Sequence, residues 1–289
     1  VSIMGRFTKV LDKAGHGGEG DRQTVEPQEM HGDKPLKVVR PAAQKPTKDK
    51  SFNRSSMTGK WDERLLRTVN DNPHLQEIFK ALRSRILFPK DDKPVPKSIM
   101  VTSTLPAEGK SFISSNLAIS FAQGLDQYAL IVDCDLRSPS QGAMFGMDGT
   151  KGLTDFLRDD AELPDLIQRT SVEKLSLLAS GVSPVNPAEL LSSARMEALV
   201  KELEAKYDDR ILIFDSPPAL AAAETAVLAE IVDAVVLVIR QGRAGKQQVK
   251  RVVDLIGKEK LLGTVLNDHT VNYFERSMLK GYDYGYGYY

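Results

Sequence analysis

Residues 98–111, SIMVTSTLPAEGKS, constrain the chain more than any other stretch. An apolar run, Ile99-Met100-Val101, turns through a short loop into Gly109-Lys110-Ser111, and an amphipathic helical pattern follows. Strand, loop and helix start in that order make an anion site, because backbone N–H groups at the helix N-terminus face the anion and the lysine adds a point charge. The serine hydroxyl is then placed to reach a Mg2+ bridging phosphates. The match to G-x-x-x-x-G-K-[ST] is incomplete: Thr104 stands at the first glycine, and Pro106 stiffens the loop. Gly-Lys-Ser also occurs as ordinary helix capping, so the loop alone leaves both readings open.

Two further apolar strands decide between them. Residues 128–132, YALIV, end in Asp133-Cys134-Asp135-Leu136-Arg137-Ser138-Pro139, and residues 211–214, ILIF, end in Asp215-Ser216-Pro217-Pro218. Both read as buried strands with carboxylates at their carboxyl ends, the edge of an open parallel sheet where ligands bind. Three such strand ends are expected to converge on one Mg–nucleotide.

The set TSTLPAEGKS, ALIVDCDLRSP and ILIFDSPP resembles the Walker A, A′ and B motifs of bacterial tyrosine kinases, P-loop autokinases of exopolysaccharide systems. The resemblance continues through GLTDFL (152–157) and GVSPVNPAELL (181–191) to VLN (265–267), and covers roughly residues 75–289. The motif spacing also resembles that of exosortase-associated autokinases. ATP and Mg2+ are the cofactors this implies. Thr104, Pro106, Ala107, Glu108, Gly109, Lys110, Ser111 and Phe112 would form the nucleotide loop, with Lys110 on the β- and γ-phosphates and facing solvent until nucleotide arrives. Ser111, Asp135 and Asp215 would arrange the metal, and Asp133 is the choice for the base that accepts the tyrosine proton. A phenol with a pKa near ~10 is mostly protonated at neutral pH, so a nearby base helps. Arg137 either stabilises phosphate charge or pairs with an acidic neighbour, and Asn267 either contacts adenine or caps a turn. Glu224 stands where many relatives carry aspartate.

Strands alternate with helices along residues 98–267. Helices are expected at 111–124, 153–158, 188–207, 219–231 and 244–257, and further strands at 175–178, 234–239 and 261–266. That alternation gives the fold class: α/β, a doubly wound and mostly parallel sheet flanked by helices, as in P-loop NTPases. Residues 140–160, with four glycines, read as a mobile loop before the helix at 153. Before the sheet, Leu75, Ile78, Phe79, Leu82, Ile86 and Leu87 repeat at helical spacing from Pro73 onward. The opposite face carries Glu77, Lys80 and Arg83. The resemblance reads these as the E-x2-R-x2-R ring-assembly motif with lysine at its middle position, where the planar guanidinium fork is lost. The bland alternative is a solvated face.

Both ends differ from the middle. Ile3, Phe7, Val10 and Leu11 share one face of a possible docking helix over residues 1–14. Residues 15–60 are rich in Gly, Pro, Lys, Asp and Gln and cannot bury enough surface to offset ordering entropy. The expected organisation is therefore a flexible segment 1–60, a kinase domain 61–267 and a tail 268–289. Five of the eight tyrosines, Tyr282, Tyr284, Tyr286, Tyr288 and Tyr289, fall in the last nine residues. A sticky low-complexity tail is the plain reading; beside a nucleotide site, a set of phosphoacceptors fits better, and the resemblance implies it.

Charge is balanced at 39 basic and 39 acidic residues, which gives no global field for nucleic acid. The lone Cys134 suits a reducing compartment and reads as a small buried filler. No run of 18 apolar residues is present, so a cytoplasmic protein is expected, recruited to the membrane through a partner. The resemblance implies that partner to be a membrane-bound polysaccharide co-polymerase adaptor, with a homo-oligomeric ring and a cognate tyrosine phosphatase. The rival is a partitioning or septum-positioning ATPase of the same branch. Those carry a signature lysine where this chain has Thr104, and their function needs no tyrosine tail.

Overall fold

A computed structural model of the chain describes residues 2–4, 60–89, 94–147 and 150–269. Its strands are β1 (Ser2–Met4), β2 (Ser98–Ser103), β3 (Tyr128–Asp133), β4 (Ile167–Arg169), β5 (Leu175–Leu178), β6 (Arg210–Asp215), β7 (Ala234–Arg240) and β8 (Leu261–Asn267). The helices are α1 (Glu63–Asp71), α2 (Pro73–Leu87), α3 (Lys110–Ala122), α4 (Gln141–Met144), α5 (Leu153–Leu157), α6 (Leu163–Leu166), α7 (Pro187–Leu191), α8 (Ala194–Lys206), α9 (Glu224–Ile231) and α10 (Lys246–Ile256). One sheet runs in the order β1-β8-β7-β2-β6-β3-β5-β4. The pairs β1–β8 and β4–β5 are antiparallel, and the rest are parallel.

Every residue of β2 is buried, as a central strand covered on both faces requires. Along it Ile99 and Val101 join one core with Leu65, Phe79, Leu82, Ile113, Leu117 and Phe121. Met100 points the other way, into a core with Leu153, Leu199, Leu203 and Leu228. Each such side chain contributes roughly 1.5–3 kcal/mol on leaving water. The entry to α2 is fixed locally: Asn72 Oδ1 accepts from Leu75 N at 3.0 Å, and Pro73 occupies the first turn.

The structure corrects several sequence expectations. Residues 2–4 form an edge strand on β8 and not part of a helix over 1–14; residues 5–59 and the tail tyrosines lie outside the described residues. The helix expected over 188–207 is two, because Ser193 starts α8 afresh, its Oγ accepting from Met196 N at 3.3 Å. Within the segment expected as a mobile loop, Gln141–Met144 form α4 and Met144, Phe145 and Met147 are buried, while residues 148 and 149 lie outside the described residues. The helix expected from 219 starts only at Glu224. Helices α1 and α6 and strand β4 went unread in the sequence, being short or mostly polar.

Candidate functional site

The β2–α3 loop is held from several sides. Gly109 has a φ of +92°, and a Cβ there would run into the Asn267 amide. Only glycine combines that backbone with that approach. Asn267 Nδ2 donates to Glu108 O at 2.9 Å, and Asn267 Oδ1 accepts from Asp268 N at 2.9 Å. Asn267 thus ties the end of β8 to the loop. Glu108 is fully buried, its Oε2 accepting from Leu105 N at 2.7 Å and its Oε1 from Arg240 N at 3.3 Å. Pro106 O accepts from Arg243 at 3.2 Å, and Thr104 Oγ1 is buried without a partner. Phe112 meets Phe79 edge to face, with centroids 6.4 Å apart.

The parallel register of β3 and β6 sets Asp133 beside Asp215. Lys110 Nζ lies 2.7 Å from Asp135 Oδ2, with side-chain exposures of 12% and 4%, so the lysine is paired and largely buried, contrary to the solvent-facing expectation. Burial alone would lower the Lys110 pKa, but the charges of Asp215, Asp135 and Asp133 together hold it above its ordinary value. Burial raises Asp133 to about 7, with Asp215 adding to the shift. Asp215 is raised by burial as well, against the opposing pull of Lys110, Gln141 and Ser111.

Asp133 Oδ1 accepts from Asp135 N at 3.2 Å, and its Oδ2 accepts from Ser140 N and Gln141 N at 3.0 and 2.9 Å. Asp135 Oδ1 accepts from Ser138 N at 3.1 Å. Among these three carboxylates Asp215 Oδ1 alone is buried without a hydrogen-bond partner. Such an orphan acceptor fits a cation or a water held by one. Among the described residues no three His, Cys, Asp or Glu side chains are grouped to hold a metal by themselves.

Gln141 escaped sequence reading because a glutamine in a polar loop carries no motif signal. Its buried Nε2 shares its hydrogens among Asp215 Oδ2 (2.7 Å), Ser114 Oγ (3.0 Å) and Ser111 O (3.2 Å), and its Oε1 accepts from Ser115 Oγ at 2.7 Å. Arg137 Nε pairs with Glu224 Oε1 at 2.8 Å. Beside Gly109 a cavity of about 450 Å³ is lined by Arg64, Arg67, Leu75, Phe112, Arg240 and Asn267, among others. Away from the site, Glu77 pairs with Lys80 at 2.7 Å, and the Arg83 guanidinium donates to Ser120 O within the same chain. Cys134 is buried, and burial pushes its thiol well up, as befits a filler.

Sheet order, phosphate loop and facing carboxylates define a P-loop NTPase, and residues 94–275 match the family model described as ParA: NUBPL iron-transfer P-loop NTPase. The chain is 38% identical over 212 residues to the tyrosine-protein kinase YwqD of Bacillus subtilis, covering 73% of this chain and 85% of that protein. The chimerical protein CapA2B2 superposes with a TM-score of 0.65 at 33% identity, covering 73% of this chain and 92% of that one. The kinase domain of the Escherichia coli tyrosine kinase ETK gives 0.62 at 27% identity, covering 81% and 89%. The chain therefore belongs to the bacterial tyrosine-protein kinases, within the ParA group of P-loop NTPases.

Proposed function

We propose that the chain is an ATP- and Mg2+-dependent protein-tyrosine autokinase that phosphorylates Tyr282, Tyr284, Tyr286, Tyr288 and Tyr289 of a neighbouring copy and thereby regulates exopolysaccharide synthesis or export. The observation that carries this reading is the junction of Lys110, Asp135 and Asp215 at the phosphate loop, in a chain that ends in five clustered tyrosines.

The phosphates of ATP would lie on the N–H groups at the start of α3, and the nucleoside would extend over Gly109 into the cavity lined by Phe112 and Asn267. Ser111, Asp215 and, once Lys110 leaves it, Asp135 would hold Mg2+, which neutralises charge on the transferring phosphoryl group. Lys110 would move from Asp135 to the β- and γ-phosphates. Asp133 accepts from three backbone N–H groups, which fixes its orientation and leaves Oδ1 an acceptor site, and Asp133 would be the base that takes the tyrosine proton. The incoming phenol would give its proton to the Asp133 carboxylate as its oxygen attacks the γ-phosphorus and the bond from the γ-phosphorus to the β-phosphate oxygen breaks, with ADP as the leaving group. Glu77, Lys80 and Arg83 would line a ring interface bringing tails to neighbouring sites. A membrane-bound adaptor would recruit and activate the assembly, and a tyrosine phosphatase would reset it.

Intact-mass measurement after incubation with Mg–ATP tests this. Additions of about 80 Da per site are expected, removed by phosphatase and absent after truncation at residue 281. ADP formed without protein modification would mean an ATPase and end the kinase reading.

A further inference from the structure

All three nucleotide motifs meet at one residue that none of them contains. The backbone N–H of Gln141 holds Asp133 of the second motif, and its side-chain amide holds Asp215 of the third together with Ser111 O and Ser114 Oγ of α3, the helix of the first motif. We propose that Gln141 is the positioning residue of the site: it commits Asp215 Oδ2 and so fixes Asp215 Oδ1 as the oxygen that faces a nucleotide-bound divalent cation. This rests on the nucleotide-binding reading above.

The residue type fits the task. A glutamine presents a donor and an acceptor on one planar group without adding charge. Its donor side faces Asp215, which accepts, and its acceptor side faces the Ser115 hydroxyl at 2.7 Å, which donates; this orients the amide. A glutamate here would set another carboxylate among Asp133, Asp135 and Asp215. An apolar side chain would strand Asp215 Oδ2 in the interior, whereas the Ser111 carbonyl would keep the Ser114 and Ser115 hydroxyls, and Asp215 could then turn either oxygen outward. The support beneath Gln141 is also fixed. Asp62 N donates to Met144 O at 3.1 Å, and Trp61 packs edge-on against Phe145 with centroids 5.4 Å apart. α4 is thus clasped from the start of α1, and the chain's single tryptophan reports on that clasp.

The test uses the full chain with Gln141→Met, which keeps volume and loses both hydrogen-bonding ends, and Ser115→Ala, which removes the hydroxyl orienting the amide together with its contacts to Ser111 O at 2.8 Å and Met144 Sδ at 3.2 Å. Calorimetry with ADP, with and without Mg2+, separates the effects. Metal-free ADP affinity should match wild type in both variants, because Lys110 and the loop N–H groups are untouched. The gain in ADP affinity on adding Mg2+ should fall by about 10–100-fold in Gln141→Met, as for other groups that orient a metal's ligands, with kcat for ATP falling alongside and KM little changed. Ser115→Ala should show a smaller loss of the same kind, and the double variant should be no worse than Gln141→Met alone. Trp61 emission should stay at its wild-type wavelength, showing α4 still docked. An intact Mg2+ gain in Gln141→Met overturns the proposal. So does equal loss of ADP binding with and without Mg2+, which is the mark of a merely structural role. Wild-type protein that binds no ADP overturns the nucleotide reading itself, whereas wild-type ADP binding without tyrosine phosphorylation ends only the kinase reading.

Discussion

Lys110 Nζ stands 2.7 Å from Asp135 Oδ2, so the lysine of the phosphate loop is already paired inside the site. Lys110→Met should therefore do more than abolish phosphoryl transfer. It strands Asp133, Asp135 and Asp215 without their cation, and breaking a buried pair costs about 3–5 kcal/mol. Denaturant unfolding at neutral pH should show that loss, shrinking in acid as the carboxylates protonate. A folded variant with wild-type stability and phosphotyrosine would contradict the site.

Burial raises the Asp133 carboxyl to about 7, from the ordinary aspartate value of 3.8 that it regains on unfolding. Between those values the folded protein binds the extra proton, so the Asp133 contribution to stability is full below about 3.8 and is lost as pH rises through about 7. Asp133→Asn cannot titrate. The stability difference between wild type and variant, measured without nucleotide, should drift in favour of the variant from pH 5 to pH 8; a constant difference would refute the shift.

Arg137 covers Glu224, whose side chain is 1% exposed and whose Oε2 has no partner. Arg137→Ala should lower stability by roughly 1–3 kcal/mol, less than for a fully buried pair because the guanidinium is half exposed and screened. Arg137→Ala combined with Glu224→Gln should recover part of the loss. Thermal melts of the single and double variants decide this.

Glu77 is exposed and pairs with Lys80, whereas Arg83 is tied to Ser120 O within its own chain. Glu77→Ala is thus the cleaner probe of a ring interface: stability should change by less than ~0.5 kcal/mol while sedimentation shifts toward smaller species. Arg83→Ala should lower stability too. Unchanged size in Glu77→Ala would sink the interface.

Five phosphates on one tail would add about −8 to −10 charges at pH 7. Gathered beside Asp133, Asp135 and Asp215, such tails should repel and loosen the assembly, with partial rescue at high salt. Sizing of phosphorylated and phosphatase-treated protein across a salt series checks this. Equal sizes at every salt concentration would rule out charge repulsion as the switch.

The parallel sheet and its three ligand-bearing strand ends were legible from residues alone, because continuous apolar runs closing on Gly109-Lys110-Ser111, Asp133 and Asp215 have few other ways to be buried. Helices α2, α3 and α10 were legible for the same reason: their apolar spacing is local. The pairing of Lys110 with Asp135, the commitment of Asp133 to backbone N–H groups and the clasp of Trp61 on α4 were not. Each joins residues far apart in the chain, or turns on side-chain direction, and neither leaves a periodic trace. Gln141 is the clearest case. Its neighbours in sequence make it a loop residue, and only the packing of α4 against α3 and β6 brings its amide to Asp215.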